Sequence, residues 1–192
     1  MNIFEFEEEI KLAVEFLRKG KVILYPTDTI WGLGCDATNV KAVERIFKIK
    51  KRSENKSLIT LIDSVESIST YVKDVPPVAY DLIKNAANPI SIVFPGAMNL
   101  AKNAIGPDGT VCIRVTRSEF CQEVVRNLGV AIASTSANIS GEPTPLSFSQ
   151  VSPEIIASVD HVVGLYQDEL SIPKASTIIR LLANGQFEIL RA

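Results

Sequence analysis

The chain has 192 residues, 46% apolar and 22% charged, with 20 basic and 22 acidic side chains and a net charge of −2. A domain of this size buries roughly 70% of the surface its unfolded chain exposes, so residues 1–192 are expected to fold as one domain without disulfide or metal staples. The near-neutral charge argues against a protein that coats nucleic acid. No apolar run nears the ~20 residues that cross a bilayer, and the acidic start (Glu5, Glu7, Glu8, Glu9) is unlike a secretory leader. Cys35, Cys112 and Cys121 lack the spacing of a zinc site, which leaves a reducing, cytoplasmic setting as the expectation.

Ile10, Ala13, Val14 and Leu17 recur at helical spacing and predict an amphipathic helix over residues 5–19, stopped by Gly20. Residues 22–25 read as a short buried strand that ends at Pro26, whose nitrogen has no proton to donate. The run Tyr25-Pro26-Thr27-Asp28-Thr29-Ile30-Trp31-Gly32-Leu33-Gly34 then leaves that strand end as a loop. Asn39 caps a second helix with Val40, Val43, Ile46 and Phe47 inward and its basic residues towards solvent or a cleft. Beyond it the pattern predicts strands over 58–62, 91–94, 110–115, 130–133, 177–182 and 187–190. Helical segments fall at 63–72, 77–88, 118–128 and 153–158. Such alternation implies an α/β protein, a sheet covered by helices, with the strand order left open.

Neither a GxxxxGK[ST] phosphate loop nor a GxGxxG turn is present, so any nucleotide site must be of another kind. The single histidine, His161, has no convergent groups for a triad or a zinc site and reads as structural. Thr27, Asp28 and Thr29 suit ordinary turn chemistry, and equally the hydrogen bonding of a ligand at a strand end. Trp31 reads as a core or rim residue.

Seven basic residues between Lys41 and Lys56 oppose Glu44 and Glu54, a local charge of +5. Lys50, Lys51 and Arg52 fall at a helix C-terminus, where the dipole alone favours cations; an anion site extended by Lys56 is the other reading. Ser134, Thr135, Ser136, Asn138 and Ser140 line up hydroxyl and amide groups after a buried strand, a binding loop rather than a serine nucleophile. Arg114, inside an alternating strand, is either a cleft-facing cation or half of a buried ion pair, and Cys112 reads as a small core residue.

Taken together, residues 25–34 with 36–38, and 50–59, 108–115, 134–145, 176–178 and 190–191, resemble the threonylcarbamoyl-AMP synthase family of YrdC-like proteins, over almost the whole chain. The resemblance implies a strongly twisted mixed β-sheet with flanking helices around a deep basic concave cleft. It implies a nucleotidyltransferase that condenses L-threonine, bicarbonate and ATP, as its Mg2+ complex, into threonylcarbamoyl-AMP and pyrophosphate. Carried over by motif, Thr29, Arg114, Ser134 and Ser176 hold threonine. Lys50, Arg52, Lys56, Thr110, Ser136, Asn138, Thr144 and Arg191 hold ATP, with Lys50 and Arg52 neutralising charge in catalysis and no metal ligands from the protein. A downstream tRNA threonylcarbamoyl-transferase complex is the implied partner, and a module binding structured RNA is the alternative function. Two departures stand out: Lys50-Lys51-Arg52-Ser53 replaces the usual Lys-Gly-Arg-Pro, and Thr135 replaces a proline, both of which loosen loops. By this resemblance the chain is expected to correspond to the short form of the family, without an added carboxy-terminal domain.

Overall fold

The computed structural model describes residues 3–52, 58–168, 176–181 and 186–191. In chain order the elements are α1 (Ile3–Arg18), β1 (Ile23–Tyr25), β2 (Gly32–Asp36), α2 (Val40–Ile49), β3 (Ile59–Ile62), α3 (Ile68–Tyr71), α4 (Pro77–Asn85), β4 (Ile90–Phe94), β5 (Val111–Val115), α5 (Glu119–Leu128), β6 (Ile132–Ser136), α6 (Pro153–Ser158), β7 (His161–Val162), β8 (Thr177–Leu181) and β9 (Phe187–Arg191). The nine strands form one twisted mixed sheet in the order β7-β1-β2-β6-β3-β5-β4-β8-β9. The pairs β1/β7, β3/β5 and β4/β8 are parallel and the rest antiparallel.

The helices start and stop where their side chains dictate. Asn39 accepts from the amides of Lys41 and Ala42, and Ser118 from that of Cys121, each satisfying donors that α2 and α5 leave open at their first turns. Gly129, at φ 83°, closes α5 in the left-handed region where a side chain would be strained. Val40 departs from its expected inward position and is 37% exposed, because α2 buries Ala42, Val43, Ile46 and Phe47 instead.

Two strands were not legible from composition. Gly32–Asp36, expected within a loop, is β2 and pairs with β1 through Tyr25 and Gly32, Leu24 and Leu33, and Ile23 and Gly34. The glycines admit the Tyr25 ring: a Cβ on Gly34 would lie 2.6 Å from Tyr25 Cε1. His161–Val162 adds β7 at the sheet edge, too short for a periodic signal. Ser134, Thr135 and Ser136, expected in a loop, are the last residues of β6.

Strand register divides the sheet into two faces. One carries Leu24, Leu33, Ala133, Ile62, Ile113, Ile92 and Ile179 and packs on α2 in the larger core. On the other, Ile23, Tyr25, Ile132 and Leu61 are covered by Ile10, Ala13, Val14 and Leu17 of α1 and by Phe120, Cys121, Val124 and Val125 of α5. Burying Ile10, Val14 and Leu17 contributes about 1.5–3 kcal/mol each. These two helices cover only the apolar part of that face. Further along it, Ser134, Ser136 and Arg114 take the positions that Ile132 and the core residues occupy below, and the face opens into a cavity.

Candidate active site

The cavity has a volume of about 190 Å³. Its floor is the sheet itself, with Gly32 of β2, Ser134 and Ser136 of β6, Ile59 of β3 and Arg114 of β5. Thr27, Thr29 and Ile30 of the β1–β2 connection form one wall. Ser176, Ile178 and Arg191 form another, and Arg52 and Thr144 sit at the remaining sides.

Residues 26–31 are held in shape by hydroxyl chemistry. Thr27 Oγ1 donates to the Ile30 carbonyl at 2.7 Å and accepts from the amides of Thr29 and Ile30. That turn delivers Thr29, 2% exposed, to Arg114, whose Nη1 donates to Thr29 Oγ1 at 2.9 Å. Arg114 is 4% exposed and pairs through Nη2 with Asp28 Oδ1 at 3.4 Å, while Asp28 Oδ2 accepts from the amide of Arg117. Both readings of Arg114 therefore hold at once: it is a buried ion-pair partner and a cation on the cavity wall. The pairing meets the requirement that a buried charge be compensated.

Ser134 Oγ accepts from the Tyr25 phenol at 2.6 Å. Burial pushes the phenol's pKa far above its ordinary value, so Tyr25 remains a donor. Ser176 Oγ lies 2.7 Å from Ser91 Oγ, a fully buried hydroxyl on the same face, and the Ser176 carbonyl accepts from Nε and Nη2 of Arg191 at 3.1 and 2.8 Å. β9 thus fixes the Arg191 guanidinium across β8 at the rim. Burial lowers the pKa of both Arg52 and Arg191, yet guanidinium groups remain charged.

Of the residues singled out from sequence, Thr29, Arg52, Arg114, Ser134, Ser136, Thr144, Ser176 and Arg191 come together on this cavity. Lys50, Thr110 and Asn138 do not line it. Lys50 is 1% exposed, and its ammonium donates to the carbonyls of Ser136 and Asn138, each at 2.6 Å. Its own carbonyl accepts from Ser140 at 3.0 Å, so Lys50 clamps the end of β6 from behind. Burial first, and the Arg52 charge second, bring its pKa down to about 8. Thr110 donates to Asp108 at 2.6 Å, closing a turn, and the Asn138 amide donates to the Glu142 carbonyl at 2.7 Å. Lys56 lies outside the described residues.

The +5 segment does not present one basic face. Arg45 pairs with Asp160, Lys48 with Glu44 at 2.6 Å and Lys51 with Glu154 at 2.8 Å. Among the described residues of the run, Arg52 is the one that lines the cavity. His161 stacks on Phe16 and hydrogen-bonds Glu9 at 3.0 Å, a structural role with a partner distant in sequence. Cys112 is buried on the same side of β5 as Arg114, outside both hydrophobic clusters. Burial pushes its thiol up to about 12 despite the nearby Arg114 and Arg191. Thr135, expected in the binding loop, also lines the cavity, and sequence reasoning did not single out Ile30, Gly32, Ile59 and Ile178. A signal for Gly32 was present in its two-residue spacing from Gly34, which marks one bare face of a strand.

The molecule is a mixed α/β sheet with one face half covered by helices and half opened into a cavity whose hydroxyl and guanidinium groups can hydrogen-bond a small anionic or zwitterionic molecule. The chain belongs to the Sua5/YciO/YrdC family, whose model, described as telomere recombination, matches residues 15–192. It is 36% identical over 166 residues to a threonylcarbamoyl-AMP synthase of Pseudoalteromonas translucida, covering 85% of this chain and 87% of that protein. The crystal structure of P. abyssi Sua5 complexed with L-threonine superposes with a TM-score of 0.86 at 31% identity. The match covers 95% of this chain and 53% of that one, so this chain spans about half the length of that relative. E. coli YciO superposes with a TM-score of 0.80 at 27% identity, over 95% of this chain and 87% of that one.

Proposed function

We propose that this protein is an L-threonylcarbamoyladenylate synthase that joins L-threonine, bicarbonate and ATP and releases pyrophosphate, supplying a tRNA threonylcarbamoyl-transferase complex in the cytosol. One observation carries this reading. Thr29, Arg114, Ser134 and Ser176, from four separate parts of a chain of this family, are each at most 4% exposed and converge on one cavity. At about 190 Å³ the cavity is below the roughly 300–1,000 Å³ of sites for drug-sized ligands, which suits an amino acid. The nucleotide then extends from the cavity past Arg52, Arg191 and Thr144, with Ser136 beneath it on the floor.

The chemistry fits a site without a histidine. Threonine's amine and bicarbonate give a carbamate with loss of water. A carbamate oxygen attacks the α-phosphorus, the bond from that phosphorus to the bridging oxygen breaks, and pyrophosphate leaves. The carbamate is already an anion, so no protein nucleophile is required; positioning and charge neutralisation supply the rate. A guanidinium about 4 Å from charge developing on the phosphate contributes about 4 kcal/mol at an effective dielectric near 20. Magnesium would enter on the phosphates as part of the substrate. Lys50 acts on the same centre indirectly, by holding the backbone that carries Ser136.

The RNA-binding alternative gains no support, since the ion pairs of Arg45, Lys48 and Lys51 break up the basic run that phosphate tracking would need. The test is to incubate the protein with MgATP, bicarbonate and labelled L-threonine and follow pyrophosphate and the labile adenylate. Threonine-dependent release of both is expected; pyrophosphate release indifferent to threonine rejects the assignment.

A further inference from the structure

Tyr25 does not line the cavity, yet its chemistry reaches it. The phenol is 1% exposed, and a buried hydroxyl must place its proton on an acceptor. Among the described residues its hydrogen bond is to Ser134 Oγ, at 2.6 Å. The ring has no freedom to choose otherwise. It is packed by the α1 and α5 core on one side and lies against the bare backbones of Gly32 and Gly34 on the other, where a Cβ would come within 3.4 and 2.6 Å of Cε1.

The consequence falls on Ser134. Once its oxygen accepts from Tyr25, the serine hydrogen is left to donate. Among the described residues no acceptor claims it, and Ser134 lines the cavity at 4% exposure. Thr29 differs: its oxygen accepts from Arg114 Nη1 at 2.9 Å, but its hydrogen goes to Thr27 Oγ1 at 3.0 Å, because the Thr27 hydrogen is given to the Ile30 carbonyl. The hydroxyl left as a donor towards the cavity is therefore that of Ser134.

We propose that Tyr25 is a positioning residue for the amino-acid substrate, holding the Ser134 hydroxyl as a donor into the cavity so that it reads a carboxylate oxygen rather than an N–H group. The inference rests on the threonine reading above and adds to it the origin of the donor polarity. The substrate's carboxylate seats against Arg114 and Ser134, and its amine faces away from them, towards the reacting end.

The experiment is steady-state kinetics of Tyr25→Phe, which removes the phenol oxygen and keeps the ring. Wild-type protein is assayed first; absence of threonine-dependent pyrophosphate release overturns the functional reading, and this inference with it. With an active wild type, Tyr25→Phe is expected to melt within about 4 °C of it. It should raise the KM for threonine about tenfold while leaving kcat and the KM for ATP within about twofold. Ser134→Ala should give a similar rise, and the double variant no more than Ser134→Ala alone, because Tyr25 acts through that hydroxyl. A folded Tyr25→Phe with unchanged threonine KM, or losses that multiply in the double variant, overturns the proposal. Should Tyr25→Phe not fold, Ser134→Cys replaces the hydroxyl by a weak donor of similar shape: a raised threonine KM supports the donor assignment and an unchanged one overturns it.

Discussion

Replacing Gly34 by alanine tests how the fold builds the site. The new methyl would lie 2.6 Å from Tyr25 Cε1, 2.9 Å from Ile132 Cγ2 and 3.2 Å from Tyr25 Cζ, against the ~3.5–4.0 Å that carbon atoms prefer. Tyr25 and Ile132 are 1% and 0% exposed and are packed from behind by α1 and α5, so relief requires shifting a ring or a strand by about 1 Å. Overpacking of this kind costs about 1–3 kcal/mol. A ring displaced by about 1 Å also stretches the 2.6 Å bond to Ser134 beyond hydrogen-bonding range, adding about 1 kcal/mol. The expected total is about 2–4 kcal/mol, a fall in melting temperature of about 5–15 °C for a chain of this size. Urea denaturation followed by circular dichroism measures it, with the midpoint lowered and the slope unchanged. Gly32→Ala is the matched control. Its Cβ would meet the Thr135 carbonyl at 3.2 Å and Ser134 Oγ at 3.4 Å, a tight but tolerable fit on the cavity floor. It should cost under about 1 kcal/mol in stability and weaken threonine binding about tenfold. Gly34→Ala as stable as wild type, or a larger stability loss for Gly32→Ala than for Gly34→Ala, would refute the packing argument.

Arg52→Ala should keep the fold and lower kcat/KM for ATP about a hundredfold, loss of one charge-stabilising donor; near-wild-type turnover would remove Arg52 from the phosphate site. Lys50→Met leaves the Ser136 and Asn138 carbonyls without their donor and should cost about 1–3 kcal/mol, with faster amide exchange across residues 136–140. Unchanged exchange there would argue against the clamp. Stability should also decline in alkali. The pKa values of Cys112 and Cys121 are pushed from 9.0 to about 12 by burial, so between those values the unfolded chain has lost protons the folded one keeps. Their contribution is complete below about pH 9 and falls by up to about 1.4 kcal/mol per pH unit for each thiol above it. Lys50, lowered from 10.5 to about 8, works in the opposite sense over pH 8–10.5, but burial raises Cys35 as well, so above about pH 9 it is one group against three thiols. Urea midpoints from pH 8 to 11 read the balance, and Cys112→Ala should flatten the decline; a midpoint that rises steadily through pH 11 contradicts it.

The Lys50 result shows where sequence reasoning reaches its limit. Lys50 and Arg52 are two residues apart at the end of α2, and motif resemblance assigned both to phosphate. Just past the helix the chain turns, with Lys51 at φ 49°, so the two side chains leave in different directions, one to the back of β6 and one to the cavity. Thr110 and Asn138 likewise keep their polarity but use it within their own turns. The alternation within β5 that marked Arg114 is a local property. That its guanidinium lies between Thr29 and Asp28 depends on a hairpin far from it in sequence.

What the sequence by itself determined is whatever neighbours in the chain can settle: the helical period and caps of α1, α2 and α5, the core strands β3, β4 and β5, and the residue types on which the family resemblance rests. Tertiary structure alone decided the strand order, the glycine-rich β2, and which polar residues face one another. A strand's partner is set by packing across the sheet, as in the pairing of Ile59 with Ser134, 75 positions later. The cavity is the part of one sheet face that α1 and α5 leave uncovered, and the fit of Tyr25 against two glycines of β2 is likewise a contact between strands that composition does not announce.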